Sequence, residues 1–178
     1  MKQRIPKSFN IQHSTFIILM TMFVISGCGY KPVAQYGRDL LPDPVYVDVK
    51  LSGVEPQNGV YLKDEIIRTL TTEFHEKVVA DRAGALSRII VPEYKIGYSP
   101  LTYDTNGYVT RYRVSTSILF VLQTPENNLS KRISSSEDVS IQSSSLTSSA
   151  ARDAAIRVGI RKAMDQFIVW IAEKGIRK

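Results

Sequence analysis

Residues 108–122 constrain the fold of this chain most, because their side chains alternate in character over the length of a long β-strand. One set of alternate positions is apolar or aromatic, and it comprises Tyr108, Tyr112, Val114, Ile118, Phe120 and Leu122. The opposite set begins with Val109 and continues with Arg111, Arg113, Ser115 and Ser117. Such a strand predicts an antiparallel sheet that buries one face and exposes the other.

Turn sequences flank this strand on both sides and predict two hairpins. Residues 104–107, with the sequence Asp-Thr-Asn-Gly, precede the strand, and a proline-containing turn at residues 124–128 follows it. We expect partner strands at residues 88–101 and 129–143, so that three strands form an antiparallel meander. Pro92 lacks a backbone donor, and it predicts an edge position, a bulge or a late start for the first partner strand.

Two other segments have a helical period. From residue 61 onwards, apolar side chains recur every fourth position and predict an amphipathic helix of about 15 residues, with Asn58 as its N-cap. This stripe comprises Leu62, Ile66, Leu70 and Phe74. Residues 150–174 form the second predicted helix, whose apolar stripe comprises Ile156, Ile160, Ala163, Met164, Phe167 and Ile171. Ahead of both helices, residues 45–51 alternate as a short strand.

The predicted element order is therefore β-α-β-β-β-α. A four-stranded, mainly antiparallel sheet has one apolar face that must be covered, and two amphipathic helices can cover it. This predicts an α+β fold, a two-layer sandwich of two helices on one sheet. The second helix is basic, so its alternative role is to lie on a membrane surface. Its Trp170 could form an exposed anchor, although we expect it in the core or at the core edge.

The N-terminus has the composition of an export signal. Three basic residues and no acidic residue precede a nearly unbroken apolar run at residues 16–25, which is too short to span a membrane. Ser26-Gly27-Cys28 follows, and it resembles the lipobox of bacterial lipoproteins with Ile25 in place of the usual leucine. The resemblance implies cleavage before Cys28 and covalent attachment of a diacylglycerol and an N-acyl chain there. The alternative is an ordinary secretory signal with a free cysteine beyond the cut.

We therefore expect three segments in the chain. Residues 1–27 are predicted to be the signal peptide, residues 28–44 a tether rich in glycine and proline, and residues 45–178 the folded domain. Gly29 follows Cys28 in place of the aspartate associated with inner-membrane retention. We therefore expect a lipid anchor at the periplasmic face of the outer membrane.

Composition argues against several classes of function. The chain has 23 basic and 17 acidic residues, and the loss of three basic residues with the signal leaves 20, a net charge of +3. No dense basic tract indicates nucleic-acid binding. Beyond the signal, His75 is the only histidine and Cys28 the only cysteine, so no metal site is predicted. Glycine-rich phosphate loops and nucleophile elbows are also missing from the sequence, and we expect a non-enzyme without further cofactors.

Several short segments together resemble a known family. They are residues 29–32 (Gly-Tyr-Lys-Pro) directly after Cys28, the strand at residues 45–49, the turn at residues 103–108, and the alanine-rich, basic final helix. With the β-α-β-β-β-α order, they resemble the lipopolysaccharide-assembly lipoprotein family LptE, in the divergent form of Campylobacter-like bacteria. The resemblance implies a non-enzymatic outer-membrane lipoprotein that plugs the β-barrel LptD, helps to assemble it and assists lipopolysaccharide insertion into the outer leaflet.

The resemblance also implies a ligand. Lipopolysaccharide carries phosphates, which pair best with arginine and lysine. Because Arg111, Arg113, Lys131 and Arg132 lie on two adjacent predicted strands, we expect them to form the patch that binds this anionic ligand. The alternative is that these four side chains belong to a solvated sheet face.

A different function is compatible with the same features. A periplasmic lipoprotein that regulates or scaffolds a cell-wall enzyme would share the lipid anchor, the tether and the missing catalytic residues. The two functions differ in the surface that contacts the partner. A plug is contacted around much of its circumference, whereas a regulator is contacted through one patch.

A possible modification site lies at the second hairpin. Residues 126–130, Glu-Asn-Asn-Leu-Ser, fit the extended acidic pattern of bacterial N-glycosylation, with Asn128 as the acceptor. We expect Asn128 to be exposed at the hairpin tip if it is glycosylated.

Overall fold

The computed structural model describes residues 35, 37, 40–53, 55–140 and 148–176. From residue 45 onwards, these residues form five strands and two helices. In chain order they are β1 (Val45–Val49), α1 (Pro56–Thr72), β2 (Val78–Val79), β3 (Ser87–Tyr103), β4 (Val109–Gln123), β5 (Asn128–Ser140) and α2 (Ser148–Ile176). Cys28 and residues 141–143, the predicted end of the last strand, lie outside the described residues.

The five strands form a mixed sheet in the order β2-β1-β3-β4-β5. β3, β4 and β5 are antiparallel neighbours joined by the two predicted hairpins, and Ile118 lies opposite both Tyr94 and Ile133. β1 runs parallel to β2 and to β3. The helix α1 allows this direction, because it carries the chain back to the end of the sheet where β1 began.

The prediction of a four-stranded, mainly antiparallel sheet is wrong in two respects. The sheet contains a further strand, β2, whose two residues are too few to show any alternation. In addition, β1 has parallel neighbours on both sides. Alternation identifies the two faces of a strand, but it does not give the direction of the neighbouring strands. The α+β class is confirmed.

Both helices pack on the same face of the sheet. This face is buried, and the opposite face is open. The buried residues of α1 include Leu62, Ile66 and Leu70, and Phe74 is buried directly after the helix, in agreement with the predicted stripe. On α2, the whole predicted stripe is buried, and Trp170 joins it with only 5% of its surface exposed. Although α2 has 29 residues, no helix in the described part of the chain is both long and apolar enough to cross a membrane.

The first turn of α1 differs from the prediction. The helix begins at Pro56, which suits this position because its missing N–H has no partner in a first turn. Glu55 is the N-cap residue, and Asn58 lies inside the helix, where its Nδ2 donates a hydrogen bond to Glu55 Oε2 at 2.6 Å. The expectation that Asn58 caps the helix is therefore wrong.

The packed part of the chain begins before residue 45. Leu40 and Leu41 are buried in the core, although both fall in the segment expected to be a tether. The Ser87 hydroxyl donates a hydrogen bond to the Pro42 carbonyl at 2.6 Å, and the Lys77 N–H donates one to Asp43 Oδ1 at 2.7 Å. Residues 40–43 thus belong structurally with the sheet.

Pro92 lies at an irregularity of β3. The pairing of β3 with β4 shifts register between Ile90 and Glu93, as expected for a bulge. The bulge reverses the parity of the strand, so that Ile89 and Val91 are buried before it and Glu93 is exposed after it. It thereby places an acidic side chain on the polar side of the sheet.

Candidate functional site

The sheet face opposite the helices is polar from Arg111 to Ser117 of β4, and it continues with the half-buried apolar residues Leu119 and Val121. On β4, Arg111, Arg113 and Ser115 are exposed, whereas the alternate residues Val114 and Thr116 are buried. We call this surface the open face and define it by its polar residues on β3, β4 and β5. They are Glu93, Lys95, Arg111, Arg113, Ser115, Ser117, Arg132, Ser134, Ser136 and Asp138.

Arg111 and Arg113 converge on one carboxylate. Arg113 lies directly opposite Asp138 and donates two hydrogen bonds to it, from Nε to Oδ1 at 2.8 Å and from Nη2 to Oδ2 at 3.0 Å. Arg111 Nη2 lies 3.7 Å from the same Oδ2. The hydrogen bonds from Arg113 hold the pKa of Asp138 below its usual value and raise the pKa of Arg113. Two guanidinium groups and one carboxylate leave one positive charge in excess.

Arg132 belongs to a separate ion pair on the open face. Its Nη2 donates to Glu93 Oε2 at 2.8 Å, and Lys95 Nζ lies 3.7 Å from the other oxygen. The hydrogen bond from Arg132 is the main reason that the pKa of Glu93 lies below its usual value. Because Arg132 is six residues from Asp138 along β5, the two ion pairs are roughly 20 Å apart.

Lys131 lies on the other side of the sheet. It is paired with Phe120, which is buried beneath the helices, and it lines a groove between β5 and α2. Consecutive strand residues point to opposite faces, so Lys131 and Arg132 cannot share one surface. The four predicted basic residues do lie on two adjacent strands. The structure brings only Arg111 and Arg113 together, however, and the single four-residue patch is not formed.

Small hydroxyl side chains fill the open face between the two ion pairs. Ser115 lies opposite Ser136, and Ser117 lies opposite Ser134, whose hydroxyl donates to Ser117 Oγ at 3.2 Å. None of these side chains is large or apolar. Between the two ion pairs the open face is therefore polar, and its four basic and two acidic side chains leave two positive charges in excess.

A polar cluster at the start of α2 was not evident from the sequence. Arg152 Nη1 donates to the Tyr98 hydroxyl at 2.9 Å, and Arg152 Nη2 lies 3.5 Å from Glu55 Oε1. Its guanidinium also lies 4.8 Å from the centre of the Tyr98 ring. Arg152 thus connects both helices to the β3–β4 hairpin. Tyr98 is 54 residues away in the sequence, so no local pattern could reveal the contact.

The predicted glycosylation site, Asn128, lies at the second hairpin. Asn128 is the first residue of β5 and is exposed beside a turn in which the Thr124 N–H donates to the Asn127 carbonyl at 2.8 Å. Glycosylation of Asn128 stays a prediction. Within the described residues, no group of His, Cys, Asp or Glu side chains could hold a metal ion.

A family model described as "LptE: Lipopolysaccharide-assembly" matches residues 46–169 of the chain. The match runs from β1 into the second half of α2 and so includes the whole open face. Comparison with curated proteins gives no match.

Several solved structures are similar to the chain. A putative lipoprotein from Caulobacter crescentus has a TM-score of 0.50 and 11% identity, and the similarity covers 79% of this chain and 93% of that one. Rare lipoprotein B from Shewanella oneidensis has a TM-score of 0.43 and 13% identity, with coverage of 74% and 97%. Lipoprotein B from Nitrosomonas europaea has a TM-score of 0.46 and 17% identity, with coverage of 79% and 88%.

Proposed function

Because a family model matches residues 46–169, the chain belongs to the LptE lipopolysaccharide-assembly family, and we propose that it plugs the outer-membrane β-barrel LptD. LptE proteins are non-enzymatic, so the contribution of this chain to lipopolysaccharide assembly is made through binding. In this proposal the lipid on Cys28 holds the chain at the periplasmic face of the outer membrane. The chain then helps the barrel to assemble and assists insertion of lipopolysaccharide into the outer leaflet.

The polar open face is the observation that carries this proposal. The lumen of a transmembrane barrel is polar, so a plug must present polar side chains to it. Enclosing a charge without a partner is costly, whereas paired charges can be enclosed at a smaller cost. On the open face, Arg113 is paired with Asp138, and Arg132 is paired with Glu93. The serines between these pairs can exchange hydrogen bonds with polar lumen residues.

The same face supplies a position for a lipopolysaccharide phosphate beside two adjacent guanidinium groups. Arg111 and Arg113 share one carboxylate, so a phosphate bound beside them would be attracted by the excess positive charge. Arg132 is remote from this position and Lys131 lies on the other side of the sheet. Arg111 and Arg113 are therefore the phosphate contacts that we propose.

Affinity capture tests the proposal. The chain carrying a C-terminal tag is extracted from outer membranes in mild detergent, captured, washed at high salt and examined by mass spectrometry. We expect a large β-barrel protein in a stoichiometric amount, because a plug is enclosed by its partner. Recovery of a cell-wall enzyme without a barrel would contradict the proposal and favour the regulator or scaffold function.

A matched pair of variants separates ligand binding from barrel binding in the same experiment. Arg111→Gln with Arg113→Gln should retain the barrel and reduce the co-purified lipopolysaccharide. Arg157→Gln with Arg161→Gln removes the same charge from α2 and should leave the amounts of co-purified barrel and lipopolysaccharide unchanged. Equal amounts of co-purified lipopolysaccharide with the two double variants would reject Arg111 and Arg113 as the phosphate contacts.

A further inference from the structure

Among the described strands, β5 is a long edge strand of the sheet. The described residues place its 13 residues at one end of the strand order, whereas the opposite edge, β2, has two residues. Every second residue of an edge strand presents its backbone N–H and C=O to the outside, ready to pair with another strand. β5 contains no proline that would interrupt such pairing.

The sequence of β5 is complementary to itself when a second copy runs antiparallel. Ser134 is the middle residue of Asn128–Ser140, so a pairing centred on Ser134 uses the whole strand. In this register, Lys131 of each copy lies opposite Glu137 of the other. Leu129 similarly lies opposite Val139. Cationic residues therefore meet anionic ones and apolar residues meet apolar ones, and both kinds of cross-strand pair are favourable.

The two charged residues are available for this contact. Within the described residues, the structure gives no hydrogen bond or ion pair to the side chain of Lys131 or of Glu137, whereas Arg132 is already bound to Glu93. In any antiparallel pairing of two β5 edges, both copies carry their helices on the same side. A pairing centred on Ser135 would place Arg132 opposite Asp138 and Ile133 opposite Glu137. It would pair two residues that already have ion-pair partners in the chain, and it would leave a carboxylate facing an apolar side chain. The register centred on Ser134 is therefore favoured.

The helix layer leaves the edge accessible. The groove of about 570 Å³ between β5 and α2 is lined by residues that include Lys131, Val169 and Trp170. Val169 is 67% exposed beside it. In the Ser134-centred register both copies carry their helices on the same side, so the two grooves adjoin across the new strand pair.

We propose that β5 is a self-pairing edge, through which two copies of the chain join their sheets while neither is bound to the barrel. The proposal does not depend on the plug function. It concerns the free chain and predicts an antiparallel β5 pair with Lys131–Glu137 contacts made twice by symmetry.

Charge exchange at the two positions tests the register. The full-length chain is purified in detergent without its barrel partner, and its association is measured by sedimentation equilibrium in density-matched detergent. Lys131→Glu and Glu137→Lys should each weaken dimerisation about tenfold, because two pairs become like-charged. The double variant Lys131→Glu/Glu137→Lys should restore it. Arg132→Glu serves as the control and should leave dimerisation unchanged, since Arg132 faces Ser136 in this register.

Several results would overturn this proposal. A monomeric wild-type chain at its highest soluble concentration would overturn the proposal. A dimer that neither single variant weakens, or that the double variant fails to restore, would also overturn it. Weakening by Arg132→Glu would indicate the pairing centred on Ser135 and reject the register centred on Ser134. Circular dichroism of each variant excludes a loss of folding as the cause. Lys131 and Arg132 are exposed and Glu137 is half-buried, so we expect each variant to fold.

Discussion

Replacement of Phe167 by alanine is expected to lower the free energy of unfolding by about 3–5 kcal/mol. Phe167 is fully buried on α2, where its ring centre lies 4.6 Å from that of Phe120 and 5.8 Å from that of Trp170. It therefore fills the space between α2 and β4. The truncated side chain would leave a cavity that the surrounding sheet and helix can close only in part.

Urea unfolding of the purified chain measures this effect, and Val169→Ala provides the matched control. Val169 lies on the same helix but is largely exposed, so its truncation should change the free energy of unfolding by less than about 0.5 kcal/mol. Similar losses in the two variants would show that α2 does not pack on the sheet through Phe167.

Replacement of Gly159 by leucine is expected to destabilise the protein by about 1–3 kcal/mol, although leucine is the better helix former. A Cβ atom at position 159 would lie 2.6 Å from Val114 Cγ1 and 3.2 Å from Thr116 Cγ2. Val114 is β-branched and buried in β4, so it cannot turn aside at low cost. The glycine thus permits the close approach of α2 to the sheet.

Gly97→Leu is the matched control, and both variants are compared by thermal and urea unfolding. A Cβ atom at Gly97, on the exposed part of β3, would meet nothing within 4 Å. We expect Gly97→Leu to be close to neutral. A Gly159→Leu variant as stable as the wild type would contradict the close helix–sheet contact.

Long periodic segments made most of this fold predictable. The stripe from Leu62 to Phe74 identified α1, and the alternation from Tyr108 to Leu122 identified β4 and the face that it buries. β2 was not predictable, because two residues that pair at an edge have no period. The parallel direction of β1 was indicated only indirectly, since a helix between two strands is the usual connection for parallel neighbours.

The candidate site was predictable only in part. Arg111 and Arg113 are two residues apart on one strand, so their common face follows from the period of a strand. Their partner Asp138 depends on the register of the second hairpin, which the sequence of its turn did not determine. Glu93 reaches the open face because of the bulge at Pro92, and the sequence left that bulge as one of three possibilities.

Site-specific photo-crosslinking tests the central claim, that the open face lies against a barrel wall, most directly. A photo-reactive amino acid is introduced at Ser115 or Ser134 in the full-length chain, and at buried Ile156 as a control. Irradiation of intact cells should link both open-face positions to the outer-membrane barrel and leave the control position unlinked. Absence of a barrel adduct at both open-face positions, in cells where the chain is present in normal amount, would contradict the account.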